Sequence, residues 1–254
     1  MISVITICYN SGKTIERTFQ SVLNQTCLPE EYILIDGASS DTTIEIVNQY
    51  KPLFEGKGVH FVTVSEKDAG LYDAMNKGLG LATQSWIHFL NSDDFYAHNQ
   101  VLENIRPELD ERHAIVYGRV IKFNRWKDSV MFDIKENKLK LNVLFGCPVA
   151  QPATFYNKSL FDSGYKFDLS YKISADYKLF AELIKAGVRF QFVPRFITYF
   201  SEDGLSTAEL NRLALDENKR LLRECGLFTG FAQLRKYPLL FKCCLMVLKI
   251  YSHF

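Results

Sequence analysis

An excess of charge of either sign is missing from this sequence of 254 residues: 30 Lys and Arg stand against 29 Asp and Glu. No global basic surplus exists to hold a nucleic-acid backbone, so an electrostatic partner has to be met by a local cluster. The six cysteines (Cys8, Cys27, Cys147, Cys225, Cys243, Cys244) form no CxxC pair and two are adjacent. That spacing suggests neither a zinc site nor a disulfide framework and is expected of a reduced, cytosolic chain. The opening "MISVITICYN" lacks the charged region and cleavage site of a signal peptide, and no run reaches the roughly 18 apolar residues of a spanning helix. GxGxxG is absent too, which leaves dinucleotide oxidoreductase chemistry without support. "SGKT" (11–14) would close a GxxxxGK[ST] phosphate loop, but the first glycine of that pattern falls on Ile7, inside an apolar run. A β-branched residue there cannot supply the backbone cradle.

What is present is alternation. At 47% hydrophobic residues the chain can bury a substantial core, and its 20 Phe and 13 Tyr suit core filling as well as stacking on bases or sugars. "ISVITIC" (2–8) is a continuous apolar strand, after which Ile15, Phe19, Val22 and Leu23 recur along one face of a helix. "YILID" (32–36) is a second strand, followed by Asp41 at a cap position before a helix carrying Ile44 and Val47. "VHFVTV" (59–64) is a third, Leu71, Met75, Leu79 and Ala82 mark another helix, and "WIHFL" (86–90) is a fourth strand. This predicts βαβ units in a doubly wound, mostly parallel sheet flanked by helices. In the second half "IVYGRVIKF", "ATFY" and "VRFQFV" read as strands and "ADYKLFAELIKAG" as a helix ended by Gly187. The sheet is therefore expected to continue in mixed sense. Ser206 and Glu209 make a capping box for a helix that stops near Gly226.

Open α/β sheets bind ligands at the carboxyl ends of their strands. The residues there are Tyr9 and Asn10; Asp36 and Gly37; Glu66, Asp68 and Gly70; and Asn91, Asp93 and Asp94. A solvated loop explains any one of them, but not three strands delivering carboxylates to one edge. Adjacent carboxylates repel unless a cation lies between them or one is protonated. Magnesium and manganese take oxygen ligands and share them with phosphates, so "NSDDF" (91–95) points to a metal-bound diphosphate.

"SVITICYNSGKTIERTFQSVLNQT", "LIDGASSDTT", "SEKDAGLYDAMNKGL", "FLNSDDFY" and "ISADYKLFAELIKAG" occur in an order and spacing that resemble family 2 glycosyltransferases of GT-A fold, over roughly residues 1–205. The resemblance is to bacterial enzymes that build capsule, O-antigen or colanic-acid polysaccharides. It implies a GT-A domain over 1–205, with a nucleotide-sugar half (1–95) and an acceptor and catalytic-base half (96–205), then a helical segment over 206–254. It further implies inverting transfer from a nucleoside-diphosphate sugar, with UDP the expected leaving group and Mg2+ or Mn2+ on the diphosphate. The expected acceptor is a saccharide or a polyprenyl-diphosphate-linked saccharide. By the same resemblance Thr6, Tyr9 and Asp36 hold base and ribose, and "SEKDAGLYDAMNKG" lines the donor pocket with Asp73 and Lys77. An i,i+4 surface pair is the alternative for those two. The metal signature falls on Asn91, Ser92 and Asp93. Asn91 departs from the usual carboxylate and is a poorer metal ligand, though its amide can still bond a ribose hydroxyl. The metal is accordingly expected on Asp93, with Asp94 beside it. The acidic-aromatic signature of the base falls on "SADYKLF", with Ala175 in place of the usual Glu and Asp176 retained as the base. A helix N-terminal charge is the alternative for Asp176. "EDGLST" (202–207) resembles the segment flanking the acceptor side.

Residues 227–254 carry Arg235, Lys236, Lys242 and Lys249 and no acidic residue, interleaved with apolar side chains. That composition suits a helix lying in an anionic membrane interface, and a core or dimer helix is the alternative. The expected location is cytoplasmic, peripheral on the inner face of the membrane. Two competing classes, a P-loop-like nucleotide hydrolase and a non-catalytic nucleotide-sugar binding protein, would show themselves by phosphate release and by donor binding without turnover.

Overall fold

The computed structural model describes residues 1–123, 128–131, 134–201 and 208–227. The acceptor-side segment 202–207, Ser206 of the capping box and nearly all of the basic segment at 227–254 lie outside them. The first half runs β1 (Ile2–Cys8), α1 (Ile15–Leu23), β2 (Glu31–Asp36), α2 (Thr43–Glu55), β3 (His60–Ser65), α3 (Leu71–Leu81) and β4 (Trp86–Phe89). The second half runs β5 (Phe95–Tyr96), α4 (Val101–Ile105), β6 (Ile115–Phe123), β7 (Asp128–Met131), α5 (Leu139–Asn142), β8 (Thr154–Asn157), α6 (Ser159–Asp162), α7 (Ala175–Lys185), β9 (Phe190–Ser201) and α8 (Ala208–Glu224).

One sheet holds all nine strands in the order β3-β2-β1-β4-β8-β6-β9-β5, with β7 also paired to β6. The β3-β2-β1-β4 block is parallel. β8 enters antiparallel between β4 and β6, β9 runs parallel to β6, and β5 closes the edge antiparallel to β9. Every residue of β1 and β2 is buried because helices cover both faces, which is why these strands read as unbroken apolar runs. Alternation inside them is still visible. Ile5, Ile7, Ile33 and Ile35 pack with α3 and α7, whereas Val4, Tyr32 and Leu34 pack with α1, α2 and α4. Each such side chain contributes roughly 1.5–3 kcal/mol of burial.

Two local features differ from the expectation. The helix after β2 starts at Thr43 with Thr42 at its cap, and Asp41 instead accepts the Thr43 amide (3.0 Å) and the Thr43 hydroxyl (2.5 Å). The last strand runs past "VRFQFV" to Ser201, through Pro194. Proline has no N–H for a ladder, and the β6–β9 register shifts beside it, between Tyr117 and Val120. Gly118 fits that irregularity because a Cβ there would stand 2.7 Å from the Arg195 carbonyl.

Candidate active site

The carboxyl edge of the parallel block gathers the expected polar groups. Tyr9 stands 65% exposed just past β1. Next to it at the end of β2, Asp36 is fully buried, its carboxylate taking the Ser39 hydroxyl (2.5 Å), the Ser65 hydroxyl (2.6 Å) and the Ser39 amide. The thiol of Cys8 is pushed up by burial and by the neighbouring Asp36 carboxylate. Gly37 leaves space between Tyr9 and Asp68: a Cβ would lie 2.7 Å from Asp68 Oδ2 and 3.3 Å from the Tyr9 ring. Asn10 (φ 49°) and Ala38 (φ 61°) take left-handed conformations where the chain turns over this edge, and the Asn10 side chain accepts the Ser40 amide. Thr6 does not face the edge. It is fully buried, with its hydroxyl 2.5 Å from the Tyr32 hydroxyl and donating to the Leu90 carbonyl at 2.7 Å. A mid-strand residue with both hydroxyl functions engaged braces β1, β2 and β4. The "SGKT" segment likewise forms no phosphate cradle, since the Gly12 amide donates to Asp41 Oδ2 (2.9 Å).

At the end of β4 the two adjacent aspartates part company. Asp94 is fully buried, its Oδ1 accepting the Ser201 amide of β9 (3.1 Å) and its Oδ2 lacking a hydrogen-bond partner among the described residues. Burial, then the nearby Asp93 charge, holds its pKa well above the usual carboxylate range. Asp93 is partly exposed, and no hydrogen bond from another residue and no ion pair to its carboxylate forms among the described residues. Burial raises its pKa, and its own backbone N–H and then the Arg17 guanidinium oppose the rise. Arg17 was not foreseen. It lies over the Phe95 ring (4.3 Å) and the Phe123 ring (4.8 Å) and donates to the Asp93 carbonyl (2.9 Å), fixing the loop's backbone. Asn91 keeps a buried Oδ1 with no partner among the described residues, and Ser92 bonds Ser11 across the edge at 2.7 Å. Among the described residues no cluster of three or more His, Cys, Asp or Glu could hold a cation unaided. One reachable hard oxygen ligand, Asp93, fits a magnesium or manganese ion that completes its shell with diphosphate oxygens.

Asp73 and Lys77 sit on α3, which begins at the same edge. Lys77 Nζ pairs with Glu66 (2.8 Å) and Asp73 (3.5 Å) and donates to the Lys67 carbonyl (3.0 Å), while Asp73 accepts the Ala69 amide (2.9 Å). Both therefore close the 65–70 loop onto α3. In the first turn of the same helix Tyr72, another residue the sequence reading passed over, brings in Asp176. Its hydroxyl lies 3.0 Å from Asp176 Oδ1 and 2.5 Å from the Ile173 carbonyl. Asp176, in the first turn of α7, thereby reaches the edge built by the first half. Burial raises its pKa and the Tyr72 hydrogen bond works against that rise. Apolar periodicity marks Tyr72 as a core residue, and only the position of its hydroxyl at the head of α3 could have flagged it.

A nine-stranded, half-parallel sheet with carboxylates converging on one edge defines this chain as a protein of GT-A fold. Residues 3–158 match the family model described as "Glycosyl transferase family 2", and the chain belongs to that family. A PGL/p-HBAD biosynthesis glycosyltransferase of Mycobacterium bovis is 32% identical over 166 residues, covering 63% of this chain and 60% of that protein. The putative teichuronic acid biosynthesis glycosyltransferase TuaG of Bacillus subtilis is 39% identical over 117 residues, covering 46% and 45%. The match thus spans less than two thirds of the curated relatives' own length. Among solved structures, S. aureus TarS 1-349 in complex with UDP-GlcNAc superposes with a TM-score of 0.70 at 18% identity, covering 89% of this chain and 65% of that one. Mannosyltransferase PcManGT from Pyrobaculum calidifontis, in complex with GDP-Man and Mn2+, superposes at 0.66 with 16% identity, covering 99% and 75%. At these identities the likeness concerns the fold.

Proposed function

We propose that the chain is an inverting, metal-dependent glycosyltransferase that moves a sugar from a nucleoside diphosphate, UDP foremost, to a hydroxyl of a saccharide or lipid-linked saccharide acceptor in bacterial surface-polysaccharide assembly. The observation that supports this reading is the hydrogen bond from Tyr72 to Asp176, which ties the first turn of α7 to the head of α3, the helix that begins at the carboxyl edge. An inverting transfer needs a base on the far side of the reacting carbon from the leaving diphosphate, and a carboxylate on a separate element answers that need. Tyr9 and Asp36 hold base and ribose, and Asn91 offers a neutral amide to the sugar hydroxyls. Asp73 and Lys77 shape the pocket wall, with Lys77 reaching the diphosphate on leaving Glu66. Asp93 holds the cation, and Asp94 stands behind it, tying the loop to β9. When bound, the cation neutralises charge that develops on the departing diphosphate. Asp176 takes the acceptor hydroxyl's proton as the new glycosidic bond forms. The names of the relatives support the setting: one is named for PGL/p-HBAD biosynthesis and another as a putative enzyme of teichuronic acid biosynthesis. The basic segment at 227–254 completes the reading by holding the enzyme at an anionic membrane, where a lipid-linked acceptor would be found.

The test is a calorimetric panel of UDP-glucose, UDP-galactose, UDP-GlcNAc and GDP-mannose with and without Mn2+ or Mg2+, followed by nucleotide-release assays with saccharide acceptors. Metal-dependent binding of at least one donor, with acceptor-dependent release of the nucleoside diphosphate, is the expected result. Inorganic phosphate released from free nucleotides would point to a hydrolase instead, and donor binding without turnover to a sensor.

A further inference from the structure

Glu217 lies on α8, beyond the residues matched by the family model. It is 6% exposed, and it spends its carboxylate on backbone amides. Oε1 accepts the Lys172 N–H at 2.7 Å, and Oε2 accepts those of Ile173 (3.0 Å) and Ser174 (2.9 Å). Three consecutive amides turned toward one anion form a nest. Here the nest stands at the N-cap of α7, two residues before Asp176, and the anion comes from the chain itself.

The peptide units of Ile173 are held from both sides: its N–H by Glu217 of α8 and its carbonyl by the Tyr72 hydroxyl of α3, which also bonds Asp176. Further contacts of α8 fall on the same turn. Arg220 donates to the Ser170 carbonyl (3.2 Å) and hydroxyl (2.7 Å) and covers the Tyr171 ring at 4.3 Å, and the Tyr171 hydroxyl donates to Glu224 at 2.8 Å. On the α3 side Asn76 exchanges two hydrogen bonds with the backbone of Phe167. A turn bonded by side chains of two helices has little freedom left. Buried on the protein's own backbone, the Glu217 carboxylate also stands close enough to Asp176 for its charge to help raise that residue's pKa.

We infer that Glu217 is a positioning residue for the transfer reaction: from α8 it fixes the turn 172–174 and so sets where the Asp176 carboxylate stands. This rests on the reading of Asp176 as the base. A misplacement of about 1 Å at a reacting group costs about 100-fold in rate without weakening ground-state binding. Glu217→Ala should therefore lower kcat about 100-fold with little change in KM for the donor. Glu217→Gln, which keeps volume and one acceptor oxygen, should fall between Ala and wild type.

The experiment uses the full chain. Amide hydrogen exchange at Ile173 and Ser174 reads the hold directly, calorimetry with UDP and Mn2+ reads the donor site, and turnover is followed with the donor found active in the panel. The inference is supported by faster exchange at 173–174 and a kcat loss at constant UDP affinity in both variants. A further supporting sign is the absence of any additional kcat loss when Glu217→Gln is placed in an Asp176→Asn background. Unchanged kcat in a folded Gln variant overturns it, as does full additivity with Asp176→Asn, which would place the effect elsewhere. Should Glu217→Ala fail to fold, the Gln variant alone decides. If Asp176→Asn keeps wild-type turnover, the base reading has failed and the catalytic half of the inference falls with it. That result is distinguishable because the exchange data remain a separate measure of the hold.

Discussion

A single Asp-to-Asp step along the β4 loop separates two kinds of chemistry. Asp93 is partly exposed, with its own backbone N–H and the Arg17 charge set against its burial, whereas Asp94 is sealed against the Ser201 amide. Asp93→Ala should therefore abolish metal-dependent UDP binding in calorimetry. Asp94→Asn, which keeps an acceptor for Ser201, should leave the affinity within a few-fold. Equal losses from both substitutions would return the metal to a shared pair. Asp176, like Asp93 and Asp94, is displaced upward, its proton held more tightly in the folded chain than in the unfolded one because burial disfavours the charge. Such a carboxylate binds more protons folded than unfolded, so stability falls as pH rises from the ordinary Asp range near about pH 4 through the folded pKa. Asp176→Asn removes that cost. Its Tm should gain on that of the wild type between about pH 4 and pH 7, while its kcat drops about 100-fold or more with donor affinity kept. A variant that loses stability at neutral pH, or turns over normally, would contradict the assignment.

Among the elements, α3 links the carboxyl edge of the parallel block to Asp176, and it rests on the sheet by close approach. A Cβ at Gly78 would stand 2.6 Å from Ile5 Cγ2 and 3.5 Å from Ile35 Cγ1, so the helix rests directly on β1 and β2. Helix propensity favours Gly78→Ala by about 1 kcal/mol, but overpacking a core costs typically 1–3 kcal/mol. The second effect should win and lower Tm by a few degrees. An unchanged or raised Tm would show that α3 can lift off the sheet. The elements most legible in the sequence were those with one strong period: β1, β2, α1, α3 and α7 begin and end within a residue or so of where apolar spacing put them. β5 is two residues long, too short for any pattern, and β9 was cut short by Pro194, whose disruption the fold absorbs in a register shift. At the site, strand-end carboxylates were legible because topology alone sends them to the edge. Thr6, Tyr72, Arg17 and Glu217 were not, since whether a polar group on an apolar element faces a ligand, a ring or a backbone amide is decided by packing.

On the scale of the whole molecule the near-neutral charge conceals an uneven distribution, for residues 227–254 hold Arg235, Lys236, Lys242 and Lys249 without one acidic residue. No helix among the described residues is long and apolar enough to cross a membrane, and the attachment proposed is a surface contact. Each basic residue near an anionic surface contributes about 1 kcal/mol, and the sum fades as salt shortens the Debye length. The donor edge and the Glu217 brace both lie before residue 227. Removing 228–254 should therefore release the protein from anionic liposomes in flotation assays while leaving UDP and Mn2+ affinity as in the full chain. Reversing the four charges to Glu should release it as well, with the apolar side chains intact, and raised salt should weaken binding of the unmodified protein. Full-length protein that ignores anionic liposomes would remove the membrane from the proposal. Loss of UDP binding on truncation would instead make the segment a packing element of the catalytic body, because a surface anchor can be cut away without disturbing a site that α3, α7 and α8 hold together.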